Sequence, residues 1–190
     1  MVADLLHTGV IDELGELRWD IRPSPRWGTI EVRTFDGIST SREIGAIAAL
    51  TQCVVEHFSR ELEAGRQLPT LQPWFVHENK WRAARYGMDA IIIQNAAGDE
   101  RLVTEDLDEL LPVLAPVAQA LGCTAELENI RDIVTRGASY QRQLRVAAAN
   151  DGSLRAVVSS LVRELRDGPV VIAPISRSEF DPSCVRRIGS

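Results

Sequence analysis

A chain of 190 residues with 45% apolar and 25% charged residues has globular composition, and it suits one domain, or one domain with a helical appendage, better than two full domains. Its formal net charge of −6 gives no basic footprint, which argues against nucleic acid or an anionic membrane surface as a partner. No apolar run approaches the roughly 20 residues of a bilayer span. The N-terminal stretch MVADLLHTGVIDELGE is acidic where a secretory signal is basic, so a soluble cytoplasmic protein is expected. Cys53, Cys123 and Cys184 are scattered with no paired spacing, and an odd count suits reduced thiols better than a disulfide framework.

Residues 3–8 read as the last turns of a short helix ending at Gly9. ELRWDIR at 16–22 and GTIEVRT at 28–34 alternate with period two and are joined by PSPRW, the pattern of an antiparallel hairpin with a proline-stiffened turn. Thr40 followed by Glu43 has the form of a capping box. It opens a helix whose apolar face is predicted to hold Ile44, Ile47, Ala48, Leu50, Val54, Val55, Phe58 and Leu62, ending at Gly65. Pro73 near a helix start and Gly87 at its end bracket a second helix carrying Trp74, His77, Glu78, Trp81, Arg82 and Arg85.

DAIIIQ at 89–94, a turn through Gly98 and RLV at 101–103 predict a second short hairpin. Thr104 is expected to cap a helix to Leu121 that Pro112 and Pro116 kink or break. Further helices are predicted at 124–135, 138–149 and 153–166, punctuated by Gly137, Gly152 and Gly168. The tail 169–190 mixes the apolar VVIAPI with polar residues and is expected to be partly disordered.

Rossmann, P-loop, zinc-hydrolase and nucleophile-elbow motifs are all absent, and His7, His57 and His77 lie too far apart in sequence to suggest a metal cage or a triad. The first hairpin is more informative. Alternation places Leu17, Trp19 and Ile21 on one face of its first strand and Arg18, Asp20 and Arg22 on the other. On the second strand Ile30 and Val32 should face the core, with Thr29, Glu31 and Arg33 beside the charged row. Such a face is either the wet side of a sheet or a place where carboxylates hold a hard cation and arginines hold phosphate. Spacing alone leaves both open.

The segment WDIRPSPRWGTIEVRTFD at 19–36 resembles a motif of bacterial glutamate-cysteine ligases and related carboxylate-amine ligases. HENKWRAARYGMDA at 77–90 is similar to a second motif of that family, with Lys80 where arginine is expected. The resemblance spans residues 1–125, the C-terminal part of a catalytic domain, with 126–168 as its helical extension. It implies an α+β fold in which a glutamine synthetase-like curved antiparallel sheet binds ATP, Mg2+ and amino acid substrates on its concave face. By that resemblance Glu31 is a magnesium ligand and Arg33 a catalytic cation for phosphate or substrate carboxylate. Arg22 and Asp20 fall in the same motif, and Asn79 and Arg82 near the ATP or substrate site. Trp74 and Trp81 read as pocket wall or core.

The implied reaction is amide formation through an acyl phosphate, for which neutralising the transferring oxygens is the central task. In the family, further metal-binding carboxylates come from strands that would precede residue 1. A homodimer, or a complementing N-terminal half, is therefore an expected partner. A noncatalytic remnant that works as a binding or assembly module is the alternative.

Overall fold

The computed structural model describes residues 2–168, which divide after Gly37 into two compact units. The first unit begins with helix α1 (Val2–His7) and passes through a 3-10 turn at Leu14–Glu16 to strands β1 (Ile21–Ser24) and β2 (Thr29–Val32). These strands pair antiparallel, Ile21 opposite Val32 and Arg22 opposite Glu31. The turn 25–28 ends at Gly28, whose φ of +63° is the left-handed conformation that glycine adopts without a Cβ penalty.

This hairpin is shorter than its sequence pattern. Leu17 closes the 3-10 turn through its N–H to Leu14 O and is buried, so the chain joins the ladder only near residue 20. Apolar and charged residues sort to opposite faces as the alternation predicts. The apolar face, however, is not core: Ile21 is 56% and Ile30 48% exposed.

The second unit is dominated by helices α2 (Ser41–Glu63), α3 (Pro73–Tyr86), α4 (Val103–Leu121), α5 (Thr124–Arg136), α6 (Ser139–Ala148) and α7 (Leu154–Asp167). A hairpin of β3 (Ile91–Ile93) and β4 (Glu100–Leu102) runs between α3 and α4. Its core joins Ala46, Ala49 and Cys53 of α2 to Leu111, Leu114, Val117 and Ala118 of α4 and Leu127 and Ile130 of α5. Small residues at 46, 49 and 53 let α2 approach its neighbours closely, with Ile47, Leu50 and Val54 flanking the contact. The predicted inward positions Ile44, Val55, Phe58 and Leu62 are exposed instead.

Helix α4 runs unbroken through Pro112 and Pro116, so the expected break does not occur. Both prolines lie on the exposed side, where the carbonyls they deprive of a partner can bond to water. An interior proline costs about 3 kcal/mol. With two prolines the cost is about 6 kcal/mol, and burial of Leu111, Leu114 and Val117 on the opposite face, at about 1.5–3 kcal/mol each, is of the same size. Thr104 is not the cap; α4 starts directly after β4 with no side-chain cap.

Thr40 does cap α2, its Oγ1 accepting from Glu43 N at 3.1 Å, but the reciprocal half of the box is missing because the Glu43 carboxylate is drawn to buried Arg142. The architecture is α+β, and its described strands form two separate two-stranded sheets and no continuous one. No described helix is long and apolar enough to cross a membrane. The expectation for 169–190 lies outside the described residues.

Candidate active site

The β1–β2 hairpin brings four of the sequence-predicted residues onto one face. Arg22 donates through Nε at 2.8 Å and Nη2 at 2.5 Å to Glu31 Oε2, and through Nη1 to Gly15 O at 2.5 Å. Arg33 N donates to Asp20 O at 2.8 Å, which extends the strand register by one residue and sets Asp20 opposite Arg33. Arg33 Nη1 also reaches Leu17 O at 3.3 Å. The result is a two-by-two arrangement in which each carboxylate stands across from an arginine.

The Arg22 and Glu31 side chains are 21% and 48% exposed, so their pairing contributes about 1 kcal/mol or less. A bond that weak can be exchanged for a ligand at small cost. Phosphate or carboxylate oxygens would compete for the arginines, and a hard cation for Glu31. Magnesium requires octahedral oxygen ligation, which one carboxylate does not supply. Among the described residues no group of three or more His, Cys, Asp or Glu side chains is placed to hold a metal. The residues present therefore offer one ligand and not a site.

Asn79 and Arg82, one turn apart on α3, both bind the β3–β4 hairpin. Asn79 Nδ2 donates to Ile93 O at 2.9 Å and its Oδ1 accepts from Ile93 N at 2.8 Å, so the amide acts as a strand partner for β3. Arg82 donates through Nε to Glu78 Oε1 at 2.9 Å, and through Nη1 to Ile91 O at 3.0 Å and Glu100 Oε1 at 2.6 Å. Hydrogen bonds to Glu100 and then Glu78 raise the Arg82 pKa above its ordinary value.

An open depression of about 450 Å3 lies here, lined by Glu78, Trp81, Arg82, Tyr86, Asp89, Ile91 and Glu100. Trp81 meets Tyr86 edge-on, with ring centroids 5.8 Å apart. Trp74 and Trp81 are 59% and 55% exposed, so neither belongs to the core. Glu100 joins the site with no local signal in the sequence beyond its place next to the predicted RLV strand.

These two clusters define a mixed α+β protein with ion-paired arginines on strand-backed faces. The chain belongs to Glutamate-cysteine ligase family 2, whose model matches residues 1–160. It is 64% identical over 168 residues to a protein of Clavibacter michiganensis subsp. michiganensis named "Putative glutamate–cysteine ligase 2", a match covering 88% of this chain and 44% of that relative. It is 58% identical over 168 residues to "Putative glutamate–cysteine ligase 2-1" of Arthrobacter sp. strain FB24, covering 88% of this chain and 44% of that protein. A Mycobacterium tuberculosis strain H37Ra protein that shares the Clavibacter protein's name is 58% identical over 164 residues, covering 86% and 44%. The chain thus spans less than half the length of the curated relatives it matches.

Proposed function

We propose that this chain forms part of an ATP-dependent carboxylate-amine ligase that joins glutamate to cysteine, or a similar pair, through an acyl phosphate. The observation that carries the reading is the Asp20, Arg22, Glu31, Arg33 face, built on the segment that resembles the ligase motif, with a partly exposed Arg22–Glu31 pair that a ligand could exchange. Arg33 would neutralise phosphate or substrate carboxylate oxygens, and Arg22 would turn from Glu31 to the same anionic ligand. Asn79 holds the α3–β3 junction in place, and Arg82, ion-paired to Glu78 and Glu100 beside the depression, would have to turn from them to meet an anionic ligand.

Magnesium enters the proposal as the usual companion of ATP, with Glu31 as one carboxylate ligand and the others from residues outside this chain. The same reading makes the hairpins portions of a glutamine synthetase-like curved sheet, completed by the remainder of a relative-length protein or by a second copy. The cytoplasm, where ATP and reduced thiols are available, is the proposed compartment.

The test is ADP release by the chain fused to the portion of the Clavibacter relative that it does not match, with magnesium, ATP, glutamate and cysteine. Turnover dependent on both amino acids is expected, and Glu31→Gln should lower it by about 100-fold or more. The amide oxygen that this substitution introduces can still accept from Arg22, so helix content and folding should be unchanged. Near-normal turnover in Glu31→Gln removes Glu31 from the site. ADP release independent of both amino acids would sink the ligase reading.

A further inference from the structure

We propose that Cys53 and Cys123 form a dithiol site that reacts with low-molecular-weight disulfides and closes to an intrachain disulfide, stapling α2 to the α4–α5 junction. The inference stands on the helical unit alone and does not depend on the ligase reading. The two thiols are 70 residues apart in sequence, yet their Sγ atoms lie 3.7 Å apart. Both are free thiols in the structure. A disulfide needs about 2.05 Å, so a further gap of roughly 1.7 Å must close.

Their environments differ in a way that assigns each a role. Cys53 is fully buried in the face of α2 that packs on α4 and α5. Cys123 stands at the start of α5, directly after Gly122, and is half-buried. The more accessible Cys123 is the entry thiol, and Cys53 is the resolving thiol behind it. Burial, then the hydrogen bond and charge of Cys123, push the Cys53 thiol up to about 11, which makes it the less reactive of the two towards an external disulfide.

The exchange balances in two steps. The Cys123 thiolate attacks one sulfur of the external disulfide, forming a mixed disulfide and releasing the first small thiolate. Cys53 then attacks Cys123 Sγ, its proton passing to the second small thiolate as that group is expelled. The external disulfide gains two electrons and becomes two thiols, and the cysteine pair loses two electrons and two protons. The new bond ties elements that already share the core, so it restrains the unfolded chain.

The experiment treats the reduced full chain, carrying Cys184→Ser to remove the remaining thiol, with glutathione disulfide. The readouts are intact mass after alkylation, non-reducing peptide mapping and urea unfolding. The expected result is loss of two hydrogens, a Cys53–Cys123 linked peptide, and a higher urea midpoint that returns to its starting value on reduction. In Cys123→Ser, Cys53 should stay unmodified while the chain is folded. The proposal is overturned by a stable glutathione adduct on Cys123 with Cys53 still free. It is equally overturned if the folded pair stays reduced while the urea-unfolded chain reacts under the same conditions.

Discussion

Arg142 carries a charge into the interior of the helical unit, where only 2% of the residue is exposed. Its Nε and Nη2 each donate to Glu164 at 3.0 Å, Nη2 also reaches Glu43 Oε2 at 3.1 Å, and Nη1 bonds Gly137 O at 2.6 Å. Glu43 Oε1 lies 2.8 Å from Nη1 as an ionic contact without hydrogen-bond alignment. Ser39 Oγ completes the network at 3.0 Å from Glu164 Oε2. Desolvating these charges costs several kcal/mol per ion, which only near-complete pairing recovers. Arg142→Ala leaves two buried carboxylates facing each other, and a loss of about 3–5 kcal/mol in urea unfolding is expected. A loss below about 1 kcal/mol would show that the network opens to water. Burial pushes the Glu164 carboxyl upward, but hydrogen bonds from Arg142 and Ser39, with the charges of Arg142 and Arg136, outweigh it and hold the group below its ordinary 4.5. A depressed folded-state pKa contributes stability above the unfolded value that is lost as pH falls through the folded one. Stability should therefore decline on acidification below pH 4.5, and Glu164→Gln should lose that share of the slope. An unchanged acid limb in the variant would assign the decline to other carboxylates.

At the scale of elements, α3 and the β3–β4 hairpin are joined by a side chain that imitates backbone. Ile93 is only 5% exposed, and both of its main-chain groups are satisfied by Asn79. Asn79→Ala strands a buried N–H and C=O, and a destabilisation of about 1–3 kcal/mol per group is the expected scale. Faster amide exchange at Ile93 should accompany it, and slow exchange there would mean that water or another strand takes over the pairing. The C-terminus of α3 is fixed by Gly87, whose φ is +54° and whose place a Cβ could not share with the Tyr140 ring. Tyr140 Oη in turn accepts from Met88 N at 3.0 Å. Helices of this kind were legible in the sequence because 3.6-residue apolar spacing and terminal glycines are local signals; Pro73–Tyr86 has the predicted bounds. The charged hairpin face was legible for the same reason, since alternation fixes which residues share a side. What lay outside local pattern was long-range partnership. Arg142 and Glu43 are 99 residues apart, Cys53 and Cys123 are 70 apart, and Arg82 and Glu100 are 18 apart. Glu43 shows the consequence, because its spacing from Thr40 predicts a cap while a distant buried arginine claims its carboxylate. Helix α2 shows another: spacing finds an apolar face but cannot say that alanines and a cysteine, not Phe58 and Leu62, meet the neighbouring helices.

For the whole molecule, the exposed apolar residues have to be weighed together with the strands. A two-stranded hairpin alone is marginally stable in water, and both sheets here have two strands. The first presents Ile21 and Ile30 to solvent at 56% and 48% exposure, and α2 presents Ile44, Val55, Phe58 and Leu62 at 39–58%. A row at positions 44, 55, 58 and 62 follows one side of a helix, so it is a continuous face and not scattered exposure. Relatives of which this chain covers 44% carry more than half their length beyond the match, ample chain to cover such faces. If that remainder completes the sheet, amides of Ile21–Val32 should exchange rapidly in this chain alone. They should gain about tenfold protection or more, equivalent to about 1.4 kcal/mol, in the fusion to the unmatched portion of the Clavibacter relative. Hydrogen exchange read alongside ADP release separates structure from chemistry. Protection together with turnover supports a completed sheet whose charged face works on substrate. Protection without turnover keeps the assembly and removes the ligase. Turnover without protection places the chemistry away from this hairpin, and Glu31 and Arg33 with it.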